Sequence, residues 1–173
     1  MADFKKDFSA RVIAWQRNNG RHHLPWQGDN PYYVWLSEIM LQQTQVIKVI
    51  DYFKRFIEAF PTLTDLASAD EQSVMALWSG LGYYNRARNL HKAARCCVEK
   101  HDGQLPDNMT DLMALPGIGR TTDAAIMSLA FNRPEPILDG NVIRVLARYF
   151  KVAGEPNSGI TLKKLWNLAE QHQ

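Results

Sequence analysis

Apolar residues recur at helical spacing along almost the whole chain, and nowhere do they alternate strictly with polar ones as a half-buried strand would require. Phe4, Phe8, Val12 and Trp15 lie four, four and three apart and form one stripe, which Asn18-Asn19-Gly20 ends. Asp29-Asn30-Pro31 opens a second helix, running from Pro31 to about Thr44. A third follows through Val46, Ile47, Ile50, Phe53, Phe56 and Ile57 until Pro61. Thr64-Asp65-Leu66 and Asp70-Glu71-Gln72 open two short helices, the second closed by Gly80. A long amphipathic helix runs from Tyr84 to about His101 through Ala87, Leu90, Ala94, Cys97 and Val98. Pro106 separates it from a short helix before Pro116. Arg120 to Phe131, Asn141 to Val152 and Leu162 to about Gln171 complete the set. The expected fold class is all-α, with short connections between helices.

Composition narrows the function classes only a little. The chain has 173 residues, enough to bury a substantial core as one domain or two small ones. A net charge of +2, from 20 basic and 18 acidic residues, gives no global argument for nucleic acid, so a basic face has to be argued locally. Cys96 and Cys97 are the two cysteines, adjacent in sequence, which fits neither a disulfide framework nor a zinc or iron–sulfur spacing. Cys97 falls beside Leu90 and Ala94 on the helical pattern, so packing is its expected role. The first residues carry no apolar signal core and no stretch is long enough to span a bilayer, so a cytoplasmic or nucleoid protein is expected.

The densest cluster of signals is Leu115-Pro116-Gly117-Ile118-Gly119-Arg120, with Asp139 twenty positions after Gly119. Two glycines two apart, after a proline and before a helix-forming run, make a tight turn whose N–H groups can converge on an anion. The helix that opens at Arg120 adds its positive dipole end, and a DNA phosphate is the natural guest. Gly-x-Gly followed by an acid is also part of a dinucleotide fingerprint, but that motif needs a preceding strand and a third glycine. Here Asp111-Leu112-Met113-Ala114 reads as helix and position 122 is Thr. The plainer alternative is a connector between two helices with no ligand.

Glu38 is the one formally charged residue between Asp29 and Lys48, inside the apolar run Val34-Trp35-Leu36-Ser37-Glu38-Ile39-Met40-Leu41. A helix that apolar is usually buried, and desolvation raises a carboxyl pKa toward the range of a general acid. The alternative is a helix-edge Glu that meets a surface cation. Asp139, before Gly140-Asn141-Val142, is placed to cap a helix, which would keep it ionised. One acid held protonated and one held charged is the division of labour that breaks glycosidic bonds. A cap and nothing more is the alternative for Asp139.

Three further strings sharpen the comparison: Trp35 through Val46 with Gln42-Gln43-Thr44, then Gly80-Leu81-Gly82-Tyr83-Tyr84-Asn85-Arg86-Ala87-Arg88-Asn89-Leu90, then Ile137-Leu138-Asp139-Gly140-Asn141-Val142. With the hairpin, they resemble the MutY adenine DNA glycosylases of the helix-hairpin-helix base-excision superfamily, from about Phe8 to the end of the chain. The resemblance implies removal of adenine mispaired with 8-oxoguanine or guanine in double-stranded DNA, by a likewise all-α hairpin-containing fold. It implies that Glu38 protonates the flipped-out adenine at N7 and that Asp139 stabilises the oxocarbenium character left on the sugar. Flipping is needed because the target bond is unreachable inside the stack. Gln43 and Tyr83 match the family's wedge, which enters the duplex beside the 8-oxoguanine. Asn141 matches a position near the flipped nucleotide, and Trp26 is a candidate for the adenine pocket or, equally, for the core. Leu115, Gly117, Gly119, Arg120 and Thr121 form the hairpin's DNA contact. Arg86, Arg88 and Lys92 join Arg120 as candidate phosphate contacts, with a solvated helix face as the bland reading for those three.

Position 121 discriminates within the superfamily. The endonuclease III relatives carry there a Lys that forms a Schiff base with the sugar. Thr121 cannot, so the resemblance implies a monofunctional enzyme that leaves an abasic site. The family also carries four cysteines that hold a 4Fe-4S cluster, and a C-terminal domain that helps to recognise 8-oxoguanine. Neither is present in these residues, so no cofactor is expected here and the chain reads as a fragment truncated before the cluster loop. The expected organisation is an N-terminal helix and leading loop (1–30) on the C-terminal part, a helical barrel region (31–133) with the hairpin at about 109–131, and an incomplete cluster-side region (134–173). A monomer is expected. The alternatives are an endonuclease III-like glycosylase for oxidised pyrimidines, or a truncated DNA-binding module without activity.

Overall fold

Short polar residues before six of the helices set where those helices begin. The computed structural model describes residues 2–156 and 158–172, with side chains from Asp7 onward. Along them run α1 (Ala2–Asn19), α2 (Pro31–Leu41), α3 (Val46–Ala59), α4 (Leu63–Ser68), α5 (Glu71–Trp78), α6 (Asn85–Lys100), α7 (Met109–Ala114), α8 (Arg120–Ala130), α9 (Gly140–Tyr149) and α10 (Gly159–Gln171). The described residues contain no strand, and no helix among them is long and apolar enough to cross a membrane. The Asn30 side chain accepts the N–H groups of Tyr32 and Tyr33 while Pro31 fills the first helical position. Thr62 and Asp65 form a reciprocal capping box on α4, which therefore opens at Leu63, just ahead of Thr64. Ser158 accepts the Thr161 N–H, and this cap starts α10 at Gly159, ahead of the expected Leu162.

The chain divides into two compact units, one made of Met1–His22 with Pro134–Gln173 and the other of His23–Arg133. Leu24 and Trp26 pack with the core of the second unit. The break therefore falls after His22, earlier than the boundary at residue 30 expected from the sequence.

In the second unit α2 is the central element, packed against α3, α6 and α8. Its Trp35, Leu36 and Met40 are fully buried, alongside Phe56 of α3 and Trp78 of α5. Each such side chain stabilises the fold by about 1.5–3 kcal/mol through burial. The α6 stripe Ala87, Leu90, Ala94 and Cys97 is buried as expected, whereas Val98 is exposed. Burial pushes the Cys97 thiol up to about 12, which suits a packing role.

The first unit has its own core of Phe8, Leu138, Leu146, Leu165 and Ala169. The Phe8 ring lies 4.7 Å from Tyr149 and 5.2 Å from both Phe150 and His172. The continuous α1 stripe expected from the sequence is corrected here, because Val12 and Trp15 remain 43% and 63% exposed. Helical spacing aligns these residues, but among the described side chains of the stripe it is Phe8 that is buried against the rings of Tyr149, Phe150 and His172. Phe4 falls outside the described side chains.

His91, on the buried face of α6, donates from Nε2 to the Ala69 carbonyl at 3.0 Å. Burial, and then the nearby Arg95, hold its pKa below the ordinary imidazole value. The unfolded chain therefore takes up a proton below about pH 6.5 that the native state resists. Stability present at neutral pH is lost as pH falls through the folded value. The melting temperature is expected to drop between pH 7 and 5, and His91→Gln, which keeps an N–H donor, is expected to flatten that dependence. An equally steep profile in the variant would assign it to other groups.

Candidate nucleic-acid interface

Helix α2 ends without a basic residue in its last turn, and its neighbours bury it, so its terminal carbonyls need donors from elsewhere in the fold. Arg86, in the first turn of α6, supplies them. Its Nη1 donates to the carbonyls of Ile39 at 2.9 Å, Met40 at 3.1 Å and Gln42. Its Nη2 donates to Thr44 Oγ1 and to the Gly82 carbonyl, both at 3.2 Å. The guanidinium also lies over the rings of Trp78, at 5.5 Å, and Tyr83, at 5.3 Å. Both of its terminal nitrogens are thus engaged by the protein, and Nε is buried without a partner among the described residues, which corrects the expectation that Arg86 contacts phosphate. Arg88 stays at the surface beside Glu71, 3.5 Å away, and Lys92 is exposed.

The loop between α5 and α6 is held by its carbonyls. Tyr52 Oη donates to Ser79 at 2.8 Å, Lys48 Nζ to Gly80 at 2.6 Å, and Trp78 Nε1 to Gly82 at 3.1 Å. At the far side Gln42 Nε2 donates to Thr122 Oγ1 of α8, at 3.3 Å. The end of α2, the start of α6 and the hairpin helix α8 are therefore joined by side-chain hydrogen bonds.

Two residues in this frame adopt a left-handed backbone that side chains other than glycine rarely take: Gln43, with φ +55°, and Tyr83, with φ +51°. Both are exposed, and both line one open cleft of about 450 Å³ with Gln42, Tyr84, Asn85 and Arg86. Such strain persists only where the surroundings over-determine it, and it concentrates at functional positions.

The hairpin lies in the same unit. Leu115 and Ile118 are buried anchors, and the Ile118 N–H returns to the Leu115 carbonyl at 3.2 Å to close the turn. The two glycines are not equivalent. Gly117 has φ +81°, and a Cβ there would stand 2.9 Å from Asn89 Cβ of α6. Gly119 has an ordinary φ of −104° and open space around it. It caps α8 without a side chain, so no residue-119 side chain competes with an outside acceptor such as a phosphate at this helix start. Arg120 is exposed, and Thr121 is half-buried in the same turn.

Glu38 sits on α2, half-buried, between the buried Ser37 and Ile39. Trp26 is 8% exposed and packs edge-to-face on Phe53 at 5.4 Å, which is the core alternative raised for it. In the other unit, Asp139 caps α9. Its Oδ1 accepts the N–H groups of Asn141 at 2.9 Å and Val142 at 2.7 Å, and Oδ2 accepts from Asn141 Nδ2 at 3.3 Å. Asn141 is exposed and holds Arg144 through its Oδ1. Two residues escaped the sequence reading: Arg86 as a carbonyl anchor and Gln42 as a strut to α8. The available signal was the missing basic residue at the end of α2, but nothing local says which distant side chain fills the gap. An iron–sulfur cluster does not fit the cysteines present, since four thiolates are needed and the Cys97 thiol is buried inside α6.

A family model described as HhH-GPD superfamily base excision DNA repair protein matches residues 36–171. The adenine DNA glycosylase of Buchnera aphidicola subsp. Acyrthosiphon pisum is 49% identical over 164 residues, covering 94% of this chain and 47% of that one. The adenine DNA glycosylase of Mus musculus is 44% identical over 174 residues, covering 95% and 34%. The chain thus spans about half the length of these curated relatives, or less. Among solved structures, a thermostable thymine-DNA glycosylase superposes with a TM-score of 0.88 at 29% identity, over 99% of this chain and 79% of that one. A non-covalent endonuclease III–DNA complex gives 0.77 at 23% identity, over 97% and 82%, a likeness of fold.

The unequal glycines generate a direct test. Gly117→Ala is expected to lower stability by about 1–3 kcal/mol, from the left-handed backbone and the approach of Asn89. Gly119→Ala, at a cap with ordinary dihedrals, is expected to cost about 0.5 kcal/mol. Denaturant melts of the two variants check this, and equal losses would remove the distinction.

Proposed function

The chain belongs to the HhH-GPD superfamily of base excision DNA repair proteins, and from that premise we propose that it is a monofunctional DNA glycosylase for adenine mispaired with 8-oxoguanine or guanine. The observation that carries this reading is the cleft where Gln43 and Tyr83 stand exposed, each on a left-handed backbone, with Gln43 five residues beyond Glu38 and just past the end of α2. A planar ring and an amide at such a cleft suit insertion into a base stack, which offsets the cost of expelling a base. The names of the adenine DNA glycosylase relatives supply the choice of adenine.

The steps follow from the residues. Gln43 and Tyr83 fill the space left in the duplex when adenine is extruded. Glu38 gives its proton to adenine N7, so that the base leaves neutral as the bond from N9 to C1′ breaks. The sugar is left with cationic character, which the Asp139 carboxylate offsets. Water adds to C1′ and releases a proton, leaving an abasic site. The open first turn of α8 and Arg120 bind phosphate along the duplex. Thr121 offers a hydroxyl where imine formation needs an amine, so strand cleavage does not follow. The protein so described works as a monomer on double-stranded DNA at the nucleoid.

A single-turnover assay on a duplex carrying adenine opposite 8-oxoguanine, with and without hot alkali before the gel, tests the proposal. Breaks that appear only after alkali are expected. Glu38→Gln is expected to slow them by on the order of 10²–10⁴-fold. Breaks without alkali would point to a glycosylase-lyase, and duplex binding with no breaks in either lane would make this region a binding module.

A further inference from the structure

The acceptors of Arg86 bracket Gln43 and adjoin Tyr83. Gln42 and Thr44 flank Gln43 on either side, and each accepts from the guanidinium. Gly82 precedes Tyr83 and accepts as well, while the Tyr83 ring lies 5.3 Å from the guanidinium carbon. The two segments are some forty positions apart in sequence and share this one cation. We infer that Arg86 is a positioning residue that holds Gln43 and Tyr83 as a single wedge, so that neither side chain enters the duplex independently of the other. The inference rests on the proposed role of these two residues in the duplex.

The chemistry of the side chain explains why arginine stands here. Its planar fork fixes the angles between several donors at once, so acceptors from α2 and from the α6 loop are locked in one arrangement. An ammonium has three rotatable donors and no plane, and it cannot span the same set. Positive φ at Gln43 and Tyr83 is unfavourable for each alone, so a shared clamp on their neighbours makes the strained pair persist. A wedge ordered before it meets DNA loses little entropy on insertion.

The test uses the 173-residue chain and its Arg86→Lys variant, with Thr44→Val as a milder change that deletes one acceptor and leaves the core intact. Amide hydrogen exchange is read across residues 41–46 and 80–86. Arg86→Lys is expected to reduce protection in both segments together by about 10-fold, with α4 and α7 unaffected, and Thr44→Val to repeat the pattern at smaller size. Loss in one segment only, or in neither, overturns the inference. On the adenine:8-oxoguanine duplex, Arg86→Lys is expected to slow single-turnover base release by on the order of 10–100-fold at saturating protein. The salt dependence of duplex binding should stay unchanged. A phosphate contact would behave in the opposite way, with Lys restoring the rate and a Gln substitution lowering the salt slope by about one. The double variant Arg86→Lys/Tyr83→Ser should be no slower than Tyr83→Ser alone, whereas additive losses refute a shared wedge. If Tyr83→Ser and Gln43→Ser each leave base release untouched, the wedge reading itself fails. The exchange data still decide whether Arg86 couples the two segments.

Discussion

A helix buried on nearly all sides still has to satisfy the carbonyls at its end, and in the second unit that requirement falls on α2. The helix carries no basic residue in its last turn, and the guanidinium of Arg86 completes it from α6. The same group fixes the Gly82 turn, while Gln42 reaches Thr122 on α8. Helix–helix packing, the end of α2 and the cleft at Gln43 and Tyr83 are thus one connected arrangement. Removing a donor from its middle would leave several part-buried acceptors at once, which costs more than any one bond contributes.

The candidate chemical groups are held in a different manner. Asp139 is fixed locally, by the first amides of the helix it caps. Glu38 is fixed by its place on α2, between side chains that have almost no contact with solvent. One carboxylate thus depends on two neighbouring residues and the other on the whole second unit. A substitution far from Glu38 but inside that core, such as at Trp35 or Met40, bears on the position of Glu38 more than an equally distant surface change.

Most of the fold was legible because its signals are local. Asn30-Pro31, Asp70 and Asp139 act as caps where spacing put them, and the α6 stripe through Leu90, Ala94 and Cys97 is buried. Helix starts moved by one to three residues where a neighbouring hydroxyl, Thr62 or Ser158, captured the cap. The candidate site was legible in its residue types more than in its construction. Gln43 and Tyr83 were picked out by resemblance, but their left-handed backbone was invisible, since neither Gln nor Tyr signals it. Arg86 looked like one more surface cation in a basic run. Its true partners are main-chain carbonyls of another helix, and a carbonyl carries no sequence signature. The exposed Val12 and Trp15 show the converse failure, where periodicity reports that a face exists and not that anything covers it.

The division of the chain also has a temporal side. The second unit is one uninterrupted stretch, His23–Arg133, and the first is assembled from segments on either side of it. During synthesis α1 emerges before the middle stretch, and the partners of Phe8, among them Tyr149, Phe150 and His172, emerge after it. The middle stretch can close its core through contacts of shorter range, while α1 waits with an apolar ring in solvent. Joining the two ends then carries a smaller loop-closure cost, because the intervening segment is already compact. Between those two moments, nascent-chain quality control would meet α1 without its packing partners.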